Sequence, residues 1–393
     1  MISVKEALDI VKNNTQPTNK SEIIPVIEAL GYVLFEDVLS PINMPPFRQS
    51  AMDGYAINIH HGKEYHLIDE VKAGDSHHPI LKAGEAVRIF TGAPVPDTAN
   101  SVIIQENVSV NGTKIRYEKE TKLENNIRPL GEQTKQGAIA LKKGTKLTAA
   151  AIGYLTTLGI VKITVNKKPS IAIVVTGNEL IKAGNKLEYG KIYESNASML
   201  KSAVVSLGYT NIKLHKVSDN YKATKNQLEK VIAENDLVLI SGGISVGDYD
   251  FVGKALQELK VKQHFYKVKQ KPGKPLFYGK KENVQIFALP GNPASALSCF
   301  YIYVHLALEK IAGNTNFSHT IIKAESETDF IKMGKRAQFL KAILKDNKVQ
   351  ILEGQSSAML QTFALANASV FLAEETMSVK KGDDVTVYKL PIY

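Results

Sequence analysis

The sequence predicts a multidomain α/β protein built around a parallel-sheet domain. From residue 169 onward, apolar runs ending in glycine or polar turns alternate with helical patterns, as in a sheet with helices on its faces. Residues 46–137 break instead into short runs punctuated by Gly, Pro and Asn, which reads as strand-rich. From residue 313 five further alternating runs follow, the pattern of a small barrel or sandwich.

In chain order, residues 1–45 together with 138–168 are expected to form a helical linker domain. MISVKEALDIVKNN is amphipathic, SEIIPVIEALGYVLFEDV repeats apolar residues at intervals of three and four, and LTAAAIGYLTTLGI reads as a further helix. Residues 46–137 form a β-rich inserted domain with strands in YAINI, YHLIDEV, AVRIF, SVIIQENV and TKIRYEKE. Residues 169–312 form the α/β domain, with strands SIAIVVTG, NIKLHKV, DLVLISGG and NVQIFALPG and helices NASMLKSAVVSLGY and KATKNQLEKVIAEN. Residues 313–393 form a C-terminal β-barrel domain from HTIIKAES, AQFLKAIL, KVQILEG, SVFLAEE and DVTVYKL.

Composition narrows the class. The 393 residues are 44% hydrophobic and 22% charged, which excludes disordered and collagen-like chains. The single cysteine, Cys299, permits neither an intrachain disulfide nor a cysteine zinc site and suits a reducing cytosol. The start carries acidic residues and is no signal peptide. The longest nearly apolar stretch, 294–308, is too short for a membrane span, so a cytoplasmic protein without membrane contact is expected. Lys and Arg number 49 against 39 Asp and Glu, a net charge of +10 that favours acidic partners. The basic residues are scattered without interleaved aromatics, so small anions rather than nucleic acid are the expected ligands.

Ligands of an open parallel sheet bind beyond its carboxyl ends, so the strand ends are the places to look. They read Thr176-Gly177-Asn178-Glu179, Ser218-Asp219-Asn220, Ser241-Gly242-Gly243-Ile244-Ser245-Val246-Gly247-Asp248-Tyr249-Asp250 and Pro290-Gly291-Asn292-Pro293. Gly242, Gly243 and Gly247 let backbone N–H groups converge on an anion, with Ser241 and Ser245 beside them. Asn292 suits an N-cap and Pro293 a first helical position, so the helix beyond them offers its N-terminus to phosphate. Either loop alone reads equally as a tight strand-to-helix turn; two on one sheet edge favour a ligand site. On a strand, Lys267, Lys269 and Lys271 would stand on one face, either as a solvated edge or as anion ligands between those loops. Glu179, Asp219 and Asp250 each read as caps or turns; together they suit Mg²⁺ opposite phosphate. The residues alone lead to a phosphate and metal site in an α/β domain.

Two further segments, MPPFRQSAMDGYAI and RIFTGAPVPDTANSVI, are unusual for strand-rich surroundings. With them the chain resembles, end to end, the MoeA family of molybdopterin molybdenumtransferases, related to the E domains of gephyrin and the plant Cnx protein. The resemblance rests on SAMDGYA, FTGAPVP, IRPLGE, TGNEL, IYESN, SGGISVGDYDF, KPGKPLFYG, LPGNPASAL, GKRAQF and GQSSAML in this order. It implies a three-layer α/β domain of molybdopterin-binding type within an L-shaped homodimer of four-domain subunits. The active site is then formed by the α/β and C-terminal domains of one subunit and the β-rich domain of the other. The implied reaction uses molybdate and Mg²⁺ to convert adenylylated molybdopterin into molybdenum cofactor, releasing AMP. The adenylyltransferase of the same pathway and acceptor molybdoenzymes are the implied protein partners.

Carried onto this sequence, the family's functional residues are Asp53, Thr91, Glu179, Asp219, Asp250, Lys267 and Lys271, with Pro290, Pro293, Arg336 and Ser357 binding substrate. Glu179, Asp219 and Asp250 are the implied metal ligands. Three positions depart from the family pattern: Arg48 follows Phe47 where the family often has Asp, Gln133 follows RPLGE, and Asn178 stands in TGNEL. They bear on metal coordination and molybdate affinity rather than on the reaction class. Two other readings remain beside this one. One is an adenylyltransferase-like enzyme, which would resemble only the α/β domain; the other is a non-catalytic pterin-binding scaffold.

Overall fold

The computed structural model describes residues 1–244 and 251–392. The positions Ser245, Gly247 and Asp250 marked in the sequence lie outside the described residues. The central sheet has six strands in the order Ile212–Val217, Ile171–Thr176, Leu237–Ser241, Val284–Leu289, Pro275–Lys281, Lys262–Lys267. The first four are parallel, and they are the four runs that the sequence pattern marks. The last two form an antiparallel hairpin that extends the sheet. Every residue of Ile171–Thr176 and Leu237–Ser241 is buried, as expected of parallel strands covered on both faces.

Helices Tyr221–Glu234 and Phe251–Glu258 cover one face through Leu228, Val231, Val252 and Leu256. The other face carries Asn196–Ser206 and a continuous helical run beginning at Pro293–Cys299 and ending at His305–Ile311. The N-terminal helix Val4–Asn14 packs there too, burying Val4, Ala7 and Val11. Its start is fixed by a reciprocal cap: Glu6 N–H donates to Ser3 Oγ and Ser3 N–H to Glu6 Oε2.

The segment SEIIPVIEALGYVLFEDV is not the expected helix. Ser21–Pro25 is a strand, antiparallel to Lys162–Asn166, and Val26–Glu28 makes a single 3₁₀ turn. Pro25 supplies no N–H and forces Ile24 toward extended backbone, while Ile23, Ile24 and Val26 are β-branched. These local constraints outweigh the apolar spacing. LTAAAIGYLTTLGI does contain a helix, Ala149–Thr157.

The β-rich part is a six-stranded mixed sheet: Ser101–Ile104, Gly54–Ile57, Glu85–Ile89, Glu64–Val71, Lys114–Tyr117, Val108–Asn111. The run SVIIQENV is split by a turn at Gln105–Asn107. In the C-terminal part, Ile321–Ser326, Ala337–Lys345, Lys348–Ile351, Ala368–Leu372 and Asp384–Lys389 pair in a closed ring. Ala337–Lys345 also accepts a short parallel strand, Gln270–Lys271, so the barrel and the α/β sheet share main-chain hydrogen bonding. Among the described residues, no helix is long and apolar enough to cross a membrane.

Candidate functional site

The carboxyl ends of the parallel strands open into a cleft of about 580 Å³. Thr176 and Glu179 line it from one strand end, Ser241 and Gly242 from the next, and Pro290 to Pro293 from the fourth. A larger hollow of about 710 Å³ lies at the opposite sheet edge, around Lys20, Asp236 and Gln285. It gathers none of the residues marked in the sequence.

Gly242 and Gly243 are required by the turn itself. Both have positive φ, at 91° and 64°. A Cβ at Gly242 would lie 2.6 Å from the Thr176 carbonyl oxygen, and one at Gly243 2.7 Å from the Val252 side chain. The chain therefore folds tightly back over the end of the neighbouring strand. Thr176 Oγ1 is buried there with no hydrogen-bond partner among the described residues.

Asn196 stands opposite and was not among the expected site residues. Its Nδ2 donates to Ser241 Oγ (2.8 Å) and to the Gly291 carbonyl (2.7 Å), so one side chain ties the two glycine loops together. Its Oδ1 is buried with no partner among the described residues. An unmet buried polar atom costs about 1–3 kcal/mol, and two of them flank one cleft, where a ligand could supply the missing partners. The signal for Asn196 lay in IYESN, but Asn at a helix start reads first as an N-cap.

The PGNP loop departs from its expected role. Pro293 does open the helix, but the Asn292 side chain makes no cap. Asn292 Nδ2 instead donates to Ser357 Oγ (3.0 Å), and Ser295 N–H donates to the Ser357 carbonyl (3.3 Å). The barrel thus uses part of the donor set that the sequence reading offers to phosphate.

Glu179 lies exposed at the cleft, its carboxylate lying over Gly177. Asp219 and Asn178 lock the first two strand ends reciprocally. Asn178 N–H donates to Asp219 Oδ2 (3.0 Å), and Asp219 N–H donates to Asn178 Oδ1 (3.1 Å). The departure at Asn178 is therefore accommodated as a neutral partner of Asp219. Among the described residues no three His, Cys, Asp or Glu side chains form a metal-binding group. The third carboxylate of the expected trio, Asp250, is outside those residues.

The three lysines do not stand on one strand. Lys267 ends the sheet's edge strand, the chain bends through Val268 and Lys269, and Lys271 belongs to the short strand on the barrel. Lys267 Nζ lies 5.2 Å from the Tyr266 ring centroid, Lys269 Nζ is 3.9 Å from Glu374, and Lys271 is exposed. The bend is fixed beyond Lys271 by Gly273 at φ 79°, where a Cβ would lie 2.4 Å from Cys299 Sγ. Burial pushes the Cys299 thiol up to about 12, so it has no nucleophilic role at neutral pH.

Arg336 and Ser357 sit at the seam between barrel and α/β sheet, and Arg336 Nη1 donates to the Gln270 carbonyl (3.0 Å). Asp53 and Thr91 are joined to each other in the β-rich sheet and do not line this cleft. Asp53 Oδ1 accepts from Thr91 N–H and Thr91 Oγ1, both at 2.7 Å. Those bonds, the backbone one foremost, hold the Asp53 carboxyl below its usual range. Gly54 is obligatory next door, since a Cβ would lie 1.9 Å from the Ile103 carbonyl oxygen. Arg48 donates to the Ala99 carbonyl (3.0 Å) and pairs with Glu124 (2.9 Å), bracing the loop after Thr91.

The chain is similar to known proteins along its whole length. Residues 2–159 match the MoeA N-terminal region (domain I and II), 172–310 a probable molybdopterin binding domain, and 323–390 the MoeA C-terminal region (domain IV). The chain is 32% identical to a molybdopterin molybdenumtransferase of Staphylococcus epidermidis, over 98% of this chain and 95% of the relative. One from Haemophilus influenzae is also 32% identical, over 98% of each. The crystal structure of a molybdopterin biosynthesis MoeA protein from Pyrococcus horikoshii OT3 superposes with a TM-score of 0.85 at 29% identity, covering 99% of this chain and 100% of that one. The chain belongs to the MoeA family.

Proposed function

We propose that this chain catalyses the molybdenum insertion step of molybdenum cofactor biosynthesis. Adenylylated molybdopterin and molybdate are its substrates; hydrolysis of the phosphoric anhydride releases AMP as molybdenum moves onto the dithiolene. Membership of the MoeA family supports the transferase class. The observation that carries the finer reading is the cleft at the parallel strand ends, where a glycine turn, an exposed carboxylate and two buried unpaired polar atoms meet.

Each residue has a part in this reading. Gly242 and Gly243, with Ser241, Ser245 and Gly247, hold phosphate and pterin, while Pro290, Gly291, Asn292 and Pro293 close the opposite wall. Lys267, Lys271 and Arg336 neutralise phosphate and molybdate, and Ser357 completes the seam. Glu179 and Asp219, with Asp250, would hold Mg²⁺, for which their hard oxygen donors are suited. When bound, that ion offsets charge developing on the phosphates. In this reading Asp53 and Thr91 serve the cleft of a second subunit, and the working unit is a homodimer in the cytoplasm.

Replacement of Glu179 by Gln or Asp219 by Asn tests the metal role. AMP release should fall roughly 100-fold while the nucleotide-pterin still binds, because the charge on the anhydride is then less well offset in the transition state. Equal loss of binding and release would contradict it.

A further inference from the structure

The barrel buries two lysines that carry no mark in the sequence, Lys332 and Lys341, exposed by only 2% and 5%. Lysine is almost never buried unless its protons find acceptors. Here each ammonium spends its three donors on three main-chain carbonyls. Lys332 Nζ donates to Arg336 (3.2 Å), Ala373 (2.8 Å) and Glu374 (2.7 Å). Lys341 Nζ donates to Gly354 (2.8 Å), Ser356 (3.1 Å) and Met359 (3.3 Å).

Four of those carbonyls, of Arg336, Gly354, Ser356 and Met359, lie in the two segments through which the barrel meets the α/β sheet. Lys332 grips the carbonyl of Arg336, whose guanidinium reaches Gln270 beside Lys271. Lys341 grips the chain on both sides of Ser357, which bonds Asn292 and Ser295 across the seam. Residues 352–359 form neither helix nor strand, so no regular ladder fixes Ser357. Gln355 adds to the grip, its amide exchanging hydrogen bonds with the Lys341 main chain at 3.0 and 2.9 Å. A compact ammonium with three rotatable donors suits three converging carbonyls better than the planar guanidinium.

We propose that Lys332 and Lys341 are positioning residues, each fixing through main-chain carbonyls one barrel residue that completes the cleft, Arg336 and Ser357 respectively. This rests on the reading that Arg336 and Ser357 face the substrate.

Lys332→Met and Lys341→Met in the full-length chain test it, first by amide hydrogen exchange. Lys341→Met should raise exchange across the seam at residues 292–296, and Lys332→Met at residues 269–271, each leaving the other's segment protected. KM for adenylylated molybdopterin should rise about tenfold with kcat changed less than about threefold, and adding Ser357→Ala to Lys341→Met should cost nothing more. Exchange rising only inside the barrel, both variants loosening the seam alike, or additive losses in the double variant would each overturn the proposal. If a methionine variant does not fold, glutamine replaces it, since its amide retains two donors, and the same exchange pattern decides. Should Arg336→Ala and Ser357→Ala leave KM unchanged while the segment-specific exchange holds, the bracing stands and the substrate-facing reading falls.

Discussion

His305 illustrates how single side chains in this molecule are set by what surrounds them. It is 6% exposed, its ring packs on Phe317 and His319, and its Nε2 lies 4.0 Å from Glu309, which also binds Lys146. Burial lowers its pKa from 6.5 to about 4, against the pull of Glu309. The folded chain therefore keeps His305 neutral where an unfolded chain would protonate it. Stability linked to this group is whole above about pH 6.5 and is lost as pH falls from there toward 4. Its full size is roughly 3 kcal/mol at most, from the cost per pKa unit. Denaturant midpoints measured between those pH values should fall less steeply for His305→Gln than for the parent, with His319, also lowered by burial, leaving a residual slope. Identical slopes would contradict this.

The same scale shows what the sequence could reveal. Glu179, Asp219, Ser241, Gly242 and the PGNP residues are legible because strand-end position and residue type together imply chemistry. Asn196, Lys332 and Lys341 are not, because one asparagine or lysine carries no sign of being buried or of which carbonyl it will meet.

At the scale of elements, strand and helix patterns translate well wherever the period is clean. All four parallel strands and all five barrel strands fall on runs that the alternation marks. The failures come from local backbone chemistry. Pro25 turns an apparently helical run into a strand, and the lysine run is broken at Val268 and Lys269, ahead of a turn through Pro272 and Gly273. The second case makes a prediction. Gly273→Ala must adopt left-handed backbone and meet Cys299 Sγ, so it should destabilise the chain by about 2 kcal/mol or more. Because Cys299→Ala removes the obstructing sulfur, the double variant should lose less than the sum of the two single losses in denaturant unfolding. Strict additivity would show that the contact does not matter.

For the whole molecule, the assembly of the site is not readable from composition. Main-chain pairing of Gln270–Lys271 with the barrel, and the contacts of Arg336 and Ser357, join distant sequence at a seam that reaches the cleft-lining Asn292 through Ser357. Nothing in a single chain's periodicity announces that seam. The second-subunit proposal comes from the family resemblance, and the position of Asp53 and Thr91 away from their own chain's cleft is compatible with it. Mixed dimers of Asp53→Ala and Glu179→Gln should recover up to about a quarter of wild-type activity under random assortment, since each mixed dimer then retains one intact site and half the dimers are mixed. No recovery despite proven subunit exchange would exclude a shared site.

The central claim is met most directly by incubating the purified chain with adenylylated molybdopterin and Mg²⁺, and measuring AMP with and without molybdate. Molybdate-dependent AMP release, together with activation of an apo-molybdoenzyme by the product, is the predicted result. Tight binding of the adenylylated pterin with no AMP released under either condition would contradict the account and leave the chain a carrier of its ligand.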